Sequence, residues 1–200
     1  MATRGIEADT SALARRYSEV RATTVRLAAP LSAEDQMLQS MPEASPTKWH
    51  LAHTTWFFET FLLTAHAPYY RPFDERFRQL FNSYYKQVGA HPYRGARGLM
   101  SRPSLDEVHA YRRGVDEAMI ELIERADDDV RALIELGFQH INERLCIVAM
   151  YGVRTARRIF HGDHQTFFAW KLFQVFRHEL RYPSLLSNQR AGHKTCHRQN

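Results

Sequence analysis

His53 stands between Trp49 and Trp56 in the run Trp49-His50-Leu51-Ala52-His53-Thr54-Thr55-Trp56. Spacings of four and three put those rings on one face of a helix, with Thr60 one turn further on. An imidazole between two indoles is partly dry and held in place, which suits a neutral ring offering a nitrogen to a metal. The same setting suits a core histidine bonded to a backbone carbonyl, and the stretch by itself leaves both open. A second chemistry lies in residues 89–103, where Arg94, Arg97 and Arg102 occur among few acids. Such a loop can clamp a carboxylate, or simply be a solvated basic loop.

These residues need helices to position them. Ser45 is placed to cap the His53 helix and Pro46 to occupy its first position, where a missing N–H costs nothing; the helix is expected to run to about Ala65. An amphipathic helix over 7–28 carries the stripe Leu13, Tyr17, Val20, Thr24 and Leu27. Ser32 to Asp35 starts a short segment with a capping box, and Ser104-Leu105-Asp106-Glu107 starts a long one over 104–126. Asp127-Asp128-Asp129 forms a turn before a last helix over 130–150. Prolines 68 and 72 break the chain after Ala65. Residues 73–88 are aromatic at helical spacing, and cover a bundle end or form a ligand cage. No strand-like alternation of useful length occurs, so the expected fold is all-α, a bundle of four principal helices.

Composition narrows the class. Of 200 residues, 44% are hydrophobic and 24% charged, as in a globular chain with a real core. No apolar run approaches the roughly 20 residues that span a bilayer, and Met1 to Asp9 carries no apolar signal region. Cys146 and Cys196 are too few for a disulfide framework, so a reducing cytoplasm is the expected compartment. The net charge of +5 is unevenly shared: residues 1–150 hold 18 Lys+Arg against 20 Asp+Glu, residues 151–200 hold 9 against 2. That basic, His-rich stretch lacks an ordered basic-aromatic module, so nucleic acid is not the expected partner. Two units follow: a helical bundle over 7–158, and an extension over 159–200 expected to pack poorly because its end has little to bury.

Ser45-Pro46-Thr47-Lys48 and the run Trp49 to Phe61 resemble the N-terminal motif of the ergothioneine-biosynthesis sulfoxide synthases, the EgtB family. Leu31 to Gln36 before it agree. Tyr70-Arg71-Pro72-Phe73, Phe81-Asn82-Ser83-Tyr84-Tyr85 and Arg97 to Pro103 follow in the family's order. The resemblance covers roughly 12–140. It implies a DinB-like four-helix bundle that supplies three histidines to a non-haem iron. A second domain resembling formylglycine-generating enzymes would complete the site. It further implies oxygen-dependent joining of a thiol, cysteine or γ-glutamylcysteine, to the imidazole of Nα-trimethylhistidine, forming a sulfoxide.

On that resemblance His53 is the first iron ligand, and His140, in Glu135-Leu136-Gly137-Phe138-Gln139-His140, is the second. Arg144 stands where the third histidine is expected, and a guanidinium has no lone pair to offer. Glu143 is adjacent but points about 100° away around a helix. Fe(II) is the expected cofactor, and Arg94, Arg97 and Arg102 are the expected substrate contacts. From Ile141 onward no motif of the family continues. A shift of reading frame, a truncated remnant and a diverged paralogue each account for that. Two functions therefore stand side by side. One is an iron-binding domain of a sulfoxide synthase, incomplete for catalysis without the second domain. The other is a non-catalytic DinB-like bundle, inert or dependent on a partner.

Overall fold

The computed structural model describes residues 2–141, with side chains from residue 9 onward. Helix α1 spans Ala2–Ala28 and α2 Ala33–Met37. Helix α3 spans Thr47–Phe58 and continues through a π-helical turn, Glu59–Leu63, into a last turn at Thr64–His66. A four-residue α4 (Phe77–Leu80), a 3-10 helix (Arg94–Leu99), α5 (Leu105–Glu124) and α6 (128–141) follow. Among the described residues there is no strand, and none of the helices is long and apolar enough to cross a membrane. The expected all-α bundle is the observed one, with α1, α3, α5 and α6 as its principal helices. The remainder of the helix expected over 130–150, Arg144, both cysteines and the extension 159–200 lie outside the described residues.

Each helix forms where local chemistry allows. At α5 the Ser104 hydroxyl accepts from Glu107 N–H, and the Glu107 carboxylate accepts from Ser104 N–H in return. Ser32 and Asp35 repeat the arrangement at α2. Both boxes satisfy amides that a first turn leaves open. Asp127 Oδ1 accepts from Val130 N–H at 2.9 Å and opens α6. The face of α5 buries Val108, Tyr111, Val115, Met119, Leu122 and Ile123.

Three expectations need correction. Helix α3 starts one residue late, at Thr47: Pro46 is the cap, its carbonyl accepts from His50 N–H, and Ser45 makes no cap. The Ser45 hydroxyl is taken instead by Arg97 Nη1 at 2.8 Å. The buried stripe of α1 runs through Leu13, Tyr17, Arg21, Thr24 and Ala28, leaving Val20 and Leu27 half-buried. Hydropathy places an arginine outside, but Arg21 has partners that hold it in: Nε on the half-buried Asp116 and Nη2 on the buried Thr55, both at 2.7 Å. Residues 89–103, read as loop, contain the 3-10 helix.

The core is aromatic. Tyr17, Trp49, Trp56, Phe58, Tyr111 and Phe138 are almost wholly buried, and Tyr17 meets Phe58 edge-on at 5.1 Å. Helix α6 closes the bundle with Ile134, Phe138 and Ile141. It approaches α3 very closely at Gly137, where a β-carbon would lie 2.6 Å from Phe58 Cε1 and 3.3 Å from Phe57 Cε1. Only glycine allows that approach, and it brings the next turn of α6, with His140, onto the His53 face.

Candidate functional site

The inward face of α3 presents Trp49, His53 and Trp56 in one column. Trp49 stacks on His53 at 4.6 Å and 14°, and His53 on Trp56 at 5.3 Å and 18°. His53 is completely buried. Each of the three rings also has a polar partner, and all three partners come from one short stretch. Trp56 Nε1 donates to the Arg78 carbonyl (2.9 Å), Trp49 Nε1 to the Leu80 carbonyl (3.4 Å), and His53 Nδ1 lies 2.7 Å from the Phe81 carbonyl. Those carbonyls are the ones a short helix leaves open at its C-terminal end. Helix α4 thus lays its unsatisfied end along the ring donors of α3, and one feature completes the other.

The bond to Phe81 has a chemical consequence. A carbonyl oxygen only accepts, so His53 Nδ1 carries the proton and the neutral ring keeps its lone pair on Nε2. Across from it stands His140, whose Nε2 is 3.1 Å from His53 Nε2. The rings meet at 64° with centroids 5.1 Å apart. His140 is held by Phe57, stacked on it at 4.7 Å and 21°, and Tyr85 lies edge-on at 6.3 Å. Two metal–nitrogen bonds of about 2.1 Å place their nitrogens about 3.0 Å apart at a right angle, and about 3.4 Å apart at the tetrahedral angle. The observed separation lies in that range. It is also an ordinary hydrogen-bond length, with one imidazole donating to the other. Among the described residues no group of three or more His, Cys, Asp or Glu is arranged to hold a metal. The donor set at hand therefore fits two of the three positions of a three-nitrogen site, and position 144 lies outside the described residues.

Residues 16–142 match the profile of the DinB superfamily, about two thirds of the chain. The chain belongs to that superfamily. No curated protein matches it in sequence.

In this DinB-superfamily bundle the three arginines of the 89–103 segment are engaged differently. Arg97 is buried, its guanidinium 3.5 Å from the centre of the Trp49 ring, so Arg97, Trp49, His53 and Trp56 follow one another as stacked planes. Arg94 is half-buried, lies 4.7 Å over Tyr84 and reaches the Glu43 carbonyl. Arg102 is exposed and lines an open cleft of about 650 Å³ with Arg76, Phe77, His91 and Glu107. Lys48 anchors the end of the segment, its ammonium donating to the carbonyls of Pro103 (2.7 Å), Met100 and Ser101. Burial and the nearby Arg102 hold the Lys48 ammonium below the ordinary lysine value.

Sequence reasoning found the two histidines and missed what positions them. Phe57 and Tyr85 carry no helix-face signal toward His140, because they come from a neighbouring helix and a loop. Gly137 is legible in retrospect: a glycine inside an amphipathic helix, three residues before a candidate ligand, marks close approach.

Proposed function

We propose that the DinB-superfamily bundle is the metal-binding part of an oxygen-dependent sulfoxide synthase of the ergothioneine type. His53 Nε2 and His140 Nε2 would hold Fe(II) side by side. The observation that carries the reading is their separation of 3.1 Å, with the His53 lone pair aimed at His140 by the bond from Nδ1 to Phe81. Both imidazoles are fixed by stacking on aromatic rings, so little ordering cost remains when a metal arrives. When bound, the iron would supply oxygen activation; the chain's own residues bind it, orient it and keep His53 dry. Arg102, the exposed member of the three arginines, is the best placed to meet the carboxylate of a thiol such as cysteine or γ-glutamylcysteine. Nα-trimethylhistidine would be the second substrate. Oxygen chemistry needs a closed pocket, so turnover would require a further domain, of the kind that resembles formylglycine-generating enzymes, in this polypeptide or another.

The same 3.1 Å favours one alternative, a bundle in which the two imidazoles share a proton and bind no metal. Anaerobic titration with Fe(II), and with Co(II) as a coloured stand-in, separates the readings. One metal per chain, lost in both His53→Ala and His140→Ala, supports the site; identical weak binding by all three chains leaves the non-catalytic bundle. Arg144→His, four residues after His140, should tighten binding further, and the gain should disappear when His53→Ala is added.

A further inference from the structure

Nothing in the pairing of two imidazoles by itself decides which nitrogen of His53 faces His140. We propose that Asn82 is the positioning residue that decides it, by fixing the Phe81 carbonyl against His53 Nδ1. Its functional meaning rests on the metal reading above, while its effect on the ring does not. The Asn82 side chain is completely buried. Its Oδ1 accepts from Tyr85 N–H at 3.1 Å, and its Nδ2 reaches the carbonyls of Tyr85 (3.1 Å), Gly89 (3.1 Å) and Ala90 (3.4 Å). One side chain thus closes the whole turn from 82 to 90, where Gly89 takes a φ of 125° that other residues rarely adopt.

The link to His53 runs through a single peptide plane. Phe81 C=O and Asn82 N–H belong to the same planar unit and point in opposite directions. Asn82 N–H donates to the Gln79 carbonyl at 3.2 Å, which orients the plane from one side. With the side chain of Asn82 anchored to the turn beyond, the plane cannot swing, and Phe81 O stays 2.7 Å from His53 Nδ1. Only then is the proton held on Nδ1 and the lone pair on Nε2. The same turn delivers Tyr85 to the edge of His140 at 6.3 Å, so Asn82 organises contacts to both imidazoles. Aspartate would not substitute, since its carboxylate would face three carbonyl oxygens with no hydrogen to offer.

The test reads the ring itself. Nitrogen-15 spectra of the histidine side chains, at mildly alkaline pH and without metal, distinguish a proton on Nδ1 from one on Nε2. The wild-type chain should show His53 with its proton on Nδ1. In Asn82→Ala a population with the proton on Nε2 should appear, and Co(II) affinity should fall about tenfold, the lower end of what outer partners of metal-bound histidines contribute. Asn82→Ser, which keeps one hydrogen-bonding group, serves if the alanine variant does not fold. A folded variant that melts earlier but retains the wild-type His53 pattern overturns the proposal, because Asn82 would then be holding the turn and nothing more. If the wild-type chain binds no Co(II) while the variants still move the proton, the metal reading falls and the positioning role stands.

Discussion

Two buried polar centres lie six residues apart on one helical run, and they are built on opposite principles. At the first, Glu59 enters the π-helical turn and receives three donors: Tyr70 hydroxyl (2.7 Å), Phe73 N–H (2.9 Å) and Tyr111 hydroxyl. One residue after Tyr111 in the chain, Arg112, almost wholly buried, donates to the Leu51 and Arg21 carbonyls and to Thr24, tying α1, α3 and α5 together. Burial, then the neighbouring Arg21, pushes the Arg112 guanidinium down to about 9. Burial, then Glu59, raises the Tyr111 phenol well above its ordinary value. Each of these hydrogen bonds pairs a donor with an acceptor, which is what a buried group needs in order to stabilise a fold. At the second centre, like faces like: two imidazole nitrogens of the same kind point at one another. Complementary partners hold the bundle together; the matched imidazole pair, on the metal reading proposed above, would be kept for a cation.

That contrast can be broken by mutation, and the largest effect belongs to the first centre. Glu59→Ala would leave the buried Tyr111 hydroxyl and the part-buried Phe73 N–H without their acceptor and open a cavity. It should cost about 3–5 kcal/mol in urea denaturation. A loss under about 1 kcal/mol would mean that water replaces the carboxylate easily, and the contrast would dissolve. Gly137→Ala comes next. Its added methyl would collide with Phe58 and Phe57, costing about 1–3 kcal/mol by overpacking. It should also move α6 outward and weaken Co(II) binding; unchanged affinity would show that the close approach at Gly137 does not set the imidazole separation. His140→Ala removes a half-buried ring and should cost only about 1 kcal/mol while abolishing metal binding. A cost as large as that of Glu59→Ala would make His140 a structural residue after all.

The same two centres explain how much could be read from the chain. Helix α5 is legible because its apolar residues repeat at helical spacing and its start carries both halves of a capping box. The column Trp49–His53–Trp56 is legible because a single helix face orders it. The first centre was not, since Arg21, Glu59 and Arg112 read as surface charges until their partners from other helices are known. Ser45 misleads for a related reason: it has the chemistry of a cap, and Arg97, 52 positions away, claims its hydroxyl. The approach of His53 to His140 came from a family resemblance rather than from spacing, because no periodicity within one helix reports a contact across 87 positions.

The smallest expected effect concerns the start of α5, which carries half of the first centre through Tyr111 and Arg112. Hydrogen bonding from the Ser104 backbone N–H, then from its side chain, holds the Glu107 carboxyl below the ordinary glutamate value. Its pKa is lower in the folded chain than in the unfolded one, so the unfolded chain binds the proton more tightly. The stabilising contribution is therefore fully present above the unfolded value of about 4.3, and is lost as pH falls through the lower, folded value. Glu107→Gln should leave the acid limb of the stability curve less steep, and alter the neutral plateau only slightly, because glutamine still accepts from Ser104 N–H. Metal affinity at neutral pH should not change, since the His53–His140 pair is carried by α3 and α6 and not by the start of α5. Thermal melts taken from neutral to acid pH would show it, and a wild-type acid limb in the variant would mean that the cap carries no charge-dependent stability.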